Sequence, residues 1–137
     1  MNTLAAIDPV DQMEAMLLGG PEVEYPTNHF FAPGMYVRQV TLPKDSLIIG
    51  HRHKTEHLNF MLKGRMTVWM NGIIQELSAP AMFVSFPGSR KVARIHEEVV
   101  FATTHPTDET DVDRLEEMLF EKSPAWLEFH NRKELNE

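Results

Sequence analysis

The chain has 137 residues, of which 42% are hydrophobic and 24% charged, and this is the size and composition of one ordinary globular domain. A net charge of −7 argues against generic nucleic-acid binding, and no apolar run approaches the roughly twenty residues of a transmembrane helix, so neither nucleic acid nor membrane is an expected partner. Cysteine is absent, which excludes disulfides and thiolate ligands. With no signal-peptide pattern at the N-terminus, we expect a cytoplasmic location.

Residues 1–34 are predicted to form a short helix followed by an extended arm. Asp8 can cap the helix, Pro9 suits its first position, and Gly19-Gly20 can end it. Val10, Met13, Met16 and Leu17 would then share one apolar face. The three prolines between residues 21 and 34 favour an arm or loop.

Residues 35–105 have the pattern of an antiparallel β-barrel. Short runs rich in β-branched and aromatic residues alternate with turn signals, of which Asn71-Gly72 is the strongest for a hairpin. The predicted strands are MYVRQVTL, SLIIGHRH, HLNFML, RMTVWM, GIIQEL, MFVSF, KVARI and VVFATTH. With no helix between them, these strands predict a sandwich or barrel. Residues 106–137 are predicted to be helical, with Thr110 capping one helix and Ser123-Pro124 starting the last.

Three histidines lie close together in the segment GHRHKTEHLNFMLKG. His51 and His53 would alternate along one strand and leave the same face, and a short bend would bring His57 to the same centre. Neutral imidazoles suit a divalent transition metal such as Fe, Mn, Ni or Zn. The alternative is that these rings face solvent or pack inside the barrel without a metal.

The same segment resembles the first motif of the cupin superfamily, in which His-x-His is followed by a ligand and then a glycine. His57 stands where the family usually has glutamate, and Gly64 occupies the glycine position. SFPGSRKVARI resembles the second motif, with Lys91 at the position of its histidine ligand. The resemblance implies a single cupin-type barrel, that is, a double-stranded β-helix or jelly roll, flanked by short N- and C-terminal helices. The whole chain further resembles small stand-alone cupin-like proteins of bacteriophages and bacteria, so a phage-encoded gene would place the protein in the host-cell cytoplasm. The resemblance also implies a homodimer.

Four further residues are candidates for ligand binding. Basic residues outnumber acidic ones between Arg38 and Arg94, and Lys91 with Arg90 follows the Pro87-Gly88 turn. An inward Lys91 would hold an anionic group, whereas an outward one would be a solvated strand lysine. Arg38 would line the cavity or lie on the surface, and His105 would be a pocket group or a structural histidine.

Three functions of different class fit these observations. The first is a small-molecule-binding protein with a metal on His51, His53 and His57, with oxygenase or lyase chemistry as the enzymatic form. The second is a non-catalytic protein that binds or sequesters a small anionic molecule, such as a nucleotide, in the barrel. The third is a structural or assembly protein in which the arm adds to a neighbour's sheet.

Overall fold

The computed structural model describes residues 9–20 and 23–135. Residues 23–121 form one compact unit, and the first and last helices belong to a second, so the single domain predicted for residues 1–137 stays a prediction. None of the described helices is long and apolar enough to cross a membrane. The elements are α1 Pro9–Leu17, β1 Thr27–Ala32, β2 Met35–Leu42, β3 Leu47–Ile49, β4 Arg52–His53, β5 His57–Met70, β6 Ile73–Ser78, β7 Ala81–Ser85, β8 Lys91–His105, α2 Val112–Leu119, β9 Phe120–Glu121 and α3 Pro124–Leu135.

The unit of residues 23–121 is built on two long antiparallel strands, β5 and β8. They pair along their length, from Leu58 opposite Thr104 to Met70 opposite Lys91. In one half of this pair, β2 lies beside β8 and β7 lies beside β5. In the other half, β3 lies beside β8 and β6 lies beside β5. Strand β1 extends the sheet beyond β2. All these pairings are antiparallel, as the strand pattern predicts.

Strands β5 and β8 bend where Gly64 meets Glu98. The register of the pair shifts between Met61 and Met66, which marks a bulge. Gly64 has a φ of 94°, and a Cβ at this position would overlap the backbone carbonyl of Glu98. The predicted turns at Lys63-Gly64 and at residues 96–98 are therefore wrong. A bulge with glycine lets both strands change direction without ending, so four predicted strands become two.

The arm predicted over residues 21–34 contains strand β1. It pairs with β2 in the same chain, with Phe31 opposite Tyr36. Pro26 and Pro33 lie just outside its ends, where a missing N–H does not interrupt the ladder. The sheet's outer face is apolar, with Leu58, Leu62, Met82, Val84 and Phe30 at least 41% exposed. Homodimer formation and an assembly role stay predictions.

An apolar core fills the inside of the unit, and α2 closes one end. The core residues are Val40, Leu42, Met61, Met66, Val68, Ala93, Ile95, Val99 and Phe101. Leu115 and Leu119 of α2 pack on Tyr36. The N-cap of α2 is Asp111 rather than the predicted Thr110, because the Asp111 carboxylate accepts hydrogen bonds from the backbone N–H groups of Asp113 and Arg114.

The second unit contains α1 and α3. Ser123 precedes α3, as predicted, and its hydroxyl accepts a 3.1 Å bond from the Trp126 N–H while donating to the Glu14 carboxylate. Val10 and Glu14 are the buried side chains of α1. The predicted apolar face of α1 is wrong beyond Val10, since Met13, Met16 and Leu17 are exposed. The predicted cap at Asp8 lies outside the described residues.

Replacing Gly64 with alanine should destabilise the barrel strongly. The added Cβ meets backbone atoms, and φ is positive, so we expect a loss of about 3 kcal/mol in the free energy of unfolding. Gly34→Ala is the matched control, because its φ of 75° carries the same backbone cost with nothing within 4 Å of the new methyl, and about 1 kcal/mol is expected. Urea unfolding followed by circular dichroism measures the free energy of unfolding of both variants. Equal losses would show that the bend does not depend on the close backbone approach of Gly64 to Glu98.

Candidate ligand-binding site

Strand register places a row of aromatic rings across the inner face of the sheet. Tyr36 of β2 lies opposite Phe31 on one side and His105 on the other. The ring centroids are 5.3 Å apart for Phe31 and Tyr36 and 5.8 Å for Tyr36 and His105, and both pairs are stacked. His105 is fully buried. Cross-strand pairing therefore places this histidine inside the barrel.

His57 and His53 continue the row and complete what we call the histidine stack, the rings of His53, His57 and His105. The His57 ring lies 4.9 Å from His105 and 4.2 Å from His53. Nδ1 of His57 donates to the backbone carbonyl of Thr55 at 3.0 Å, so its Nε2 carries the lone pair. The Phe120 ring packs edge-on against the His53 ring, with the two ring centroids 4.9 Å apart.

The position of His53 depends on a short second sheet. Strand β4 pairs with β9, with His53 opposite Phe120, and the His53 N–H donates to the Ser89 carbonyl at 2.9 Å. The chain between β3 and β4 is not a strand at Gly50 and His51, so the continuous strand SLIIGHRH predicted from the sequence is wrong. His51 and His53 still line one common cavity, although only His53 lies in a strand.

The three predicted metal ligands are not equivalent in the structure. His53 and His57 are neighbours, whereas His51 contacts Phe120, at 6.4 Å, and His105 takes the third place in the stack. Nδ1 of His53, Nε2 of His57 and Nδ1 of His105 are buried without a hydrogen-bond partner, as metal-binding nitrogens would be. Even so, no three His, Asp or Glu side chains in the described part of the chain are arranged to hold a metal ion.

A cavity of about 110 Å³ lies beside the histidine stack and contains two cationic side chains. Lys91 and Arg38 both line it, next to His51, His53 and Thr103. The remaining wall is mainly apolar, formed by Val40, Leu42, Ile48, Met66, Val68, Ala93 and Phe101. The lining contains no carboxylate. A larger and more open depression near α2 has no buried side chain in its lining.

Burial lowers the pKa of the titratable groups around the cavity. It is the main cause that lowers the pKa of His53 to about 2 and that of His105 to about 3, and the charges of Lys91 and Arg38 lower both further. Burial also lowers the pKa of His57, and it lowers the pKa of Lys91 to about 8. The imidazoles are therefore neutral at pH 7, and positive charge in the cavity is carried by Lys91 and Arg38.

The other predicted ligand-binding residues lie outside the cavity lining. Arg90 is buried, and its Nε donates to the Gly50 carbonyl at 2.7 Å, so it fixes the chain before His51. His105 lies deeper, with its Nε2 sharing a 2.9 Å hydrogen bond with the Thr103 hydroxyl.

Sequence reasoning missed Tyr36 and Phe120 as parts of the site. Tyr36 could have been found from its alternation with Arg38 on one strand, which places both on the inner face. Phe120 gave no such signal, because it follows a helix directly and forms the two-residue strand β9 only through its pairing with β4.

Comparison with known proteins identifies the fold. No protein-family model and no curated protein matches the chain. Among solved structures, KdgF from a Halomonas species aligns with a TM-score of 0.54 and 18% identity, over 64% of this chain and 84% of that protein. An RmlC-like cupin family protein with a double-stranded β-helix fold from Methanocaldococcus jannaschii gives a TM-score of 0.53 and 8% identity, over 66% and 87%.

A third similar structure is a salicylate 1,2-dioxygenase from Pseudaminobacter salicylatoxidans. It aligns with a TM-score of 0.57 and 13% identity over 78% of this chain, which spans only 34% of that enzyme. At these identities the likeness concerns the fold. The antiparallel sheet, the bent central strand pair and these structures together confirm that the chain has the double-stranded β-helix fold of the cupin superfamily, as its motifs predict.

Proposed function

We propose that the protein binds a small carboxylate in its inner cavity. The observation that carries this proposal is the placement of Lys91 and Arg38 in one mainly apolar cavity whose lining contains no acid. Neither forms an ion pair with a carboxylate among the residues that the structure describes. A cation in a mainly apolar cavity without a counter-ion is costly, and an anionic ligand would supply that counter-ion.

The size and walls of the cavity define the ligand further. A volume of about 110 Å³ corresponds to roughly four water molecules, so the ligand has about four to six non-hydrogen atoms. Its charged end would meet Lys91 and Arg38, and its apolar end would contact side chains such as Val68 and Phe101. A short-chain carboxylic acid fits these demands.

A divalent transition metal on the histidines is the second candidate. It is favoured by the unpaired nitrogens of His53, His57 and His105, which are neutral imidazoles of the kind that Fe, Mn, Ni or Zn bind. No three His, Asp or Glu side chains among the described residues are arranged to hold a metal ion, and the charges of Lys91 and Arg38 would oppose binding of one. One structure with this fold is a dioxygenase, and oxygenase or lyase chemistry belongs to this candidate alone.

Removing the charge of Lys91 should weaken carboxylate binding. For Lys91→Met we expect about a 10- to 100-fold rise in the dissociation constant of propionate, the value of one charge-assisted hydrogen bond. Lys91→Arg keeps the charge and should retain most of the affinity. Isothermal titration calorimetry with propionate and its neutral amide measures this; equal binding of acid and amide would contradict the proposal.

Metal analysis separates the two candidates. If the cavity is an anion site, purified untagged protein should contain far less than one transition-metal ion per chain by inductively coupled plasma mass spectrometry. One equivalent that is lost in His57→Ala but kept in His130→Ala, a histidine outside the stack, would establish the second candidate instead.

The metal-free protein should lose stability as the pH falls below about 6.5. The unfolded chain then binds protons at His53 and His105 that the folded chain does not, because both folded-state pKa values are lowered. At pH 5 each of these two histidines should lower the free energy of unfolding by on the order of 2 kcal/mol. Urea unfolding at pH 7.5 and pH 5 measures the loss, and His53→Gln should remove about half of it. If the free energy of unfolding of His53→Gln falls as much between pH 7.5 and pH 5 as that of the wild type, His53 is not kept neutral by the fold.

A further inference from the structure

Lys91 has the surroundings of a nucleophilic amine rather than of a solvated lysine. It is the first residue of β8, opposite Met70 of β5, and its side chain enters the cavity next to Val68 and Ala93. Its own backbone carbonyl accepts a 3.0 Å bond from the Gly50 N–H, so the base of the side chain is held in place. The base of the side chain is therefore held at the wall of a mainly apolar cavity.

The surroundings of Lys91 favour its neutral form. It lines a mainly apolar cavity, and no carboxylate in the described chain pairs with it. A buried lysine loses its proton more readily than a solvated one, and the free amine is the form that attacks a carbonyl group. Burial lowers the pKa of Lys91 to about 8, in the direction that this geometry requires.

Arg38 would supply the second half of such a site. On β2 it lies opposite Thr103 of β8, and it cannot lose its charge at physiological pH. A ligand whose carboxylate meets Arg38 would direct its next carbon atoms toward the rest of the cavity. If one of those atoms is a carbonyl carbon, the amine of Lys91 is the nucleophile available to it.

From this placement we propose that Lys91 forms an imine with a small oxo acid held by Arg38. The inference rests on the carboxylate site proposed above and names its ligand class. In the reaction the Lys91 nitrogen forms a bond to the carbonyl carbon, and the carbon–oxygen bond breaks. The two amine protons leave with that oxygen as water, so no oxidant, reductant or further reactant is needed. The cavity accommodates an acid of the size of pyruvate.

Reductive trapping tests the proposal with pyruvate as the probe. The protein is incubated with pyruvate and cyanoborohydride, which reduces an imine to a stable secondary amine, and the modified lysine is identified by peptide mass spectrometry. We expect Lys91 to be modified at least about tenfold faster than Lys63, whose side chain is 61% exposed and paired with Glu98, since each unit of lowered pKa raises the neutral fraction about tenfold. Modification of Lys63 at an equal rate would overturn the proposal.

Two variants separate formation of the imine from binding of the carboxylate. Lys91→Arg has no primary amine, so no adduct should form at this position. Arg38→Gln should slow trapping of pyruvate more than trapping of acetone, which has no carboxylate. If wild-type protein binds propionate but Lys91 is not trapped, the imine is disproved and the proposed function stands; if propionate does not bind either, both fail.

Discussion

The continuous pairing of β5 with β8 is the constraint on which the rest of the structure depends. Both strands pass from one half of the sheet to the other, so each contributes to the walls of the cavity at both ends. Their joint bend requires the close backbone approach at Gly64. Because side chains alternate along paired strands, fixing this register also determines which residues face inward. Lys91 and His105, the two ends of β8, enter the same interior for this reason.

The interior places positive charge and neutral imidazoles side by side. In an apolar space, a cation without a counter-ion is costly, and the fold compensates by keeping His53, His57 and His105 uncharged. The remaining charge on Lys91 and Arg38 is what an anionic ligand would balance. Acidity of the chain as a whole does not oppose this, because burial confines the field of the two cations to the cavity.

The histidine stack and the cavity have different chemical characters although they adjoin. The stack is a column of rings, ordered by cross-strand pairing and closed by Phe120. The cavity is small, mainly apolar and cationic at Lys91 and Arg38. A neutral stack can shape the polar end of the cavity without adding charge. This arrangement gives the histidines a physical role even without a metal ion.

The sequence by itself determined the antiparallel fold and the importance of the segment around His53 and His57. Alternation and turn residues act locally, so they were readable in the chain. Whether Lys91 and Arg38 face inward depends on a register that changes face with a shift of one residue, and the strand break at Gly50 depends on the pairing of β4 with β9. His105 lies beside His57, and His51 lies against Phe120, because of contacts between segments that are distant in the chain. Only the tertiary structure could decide these points, since no local pattern encodes which strand lies beside another.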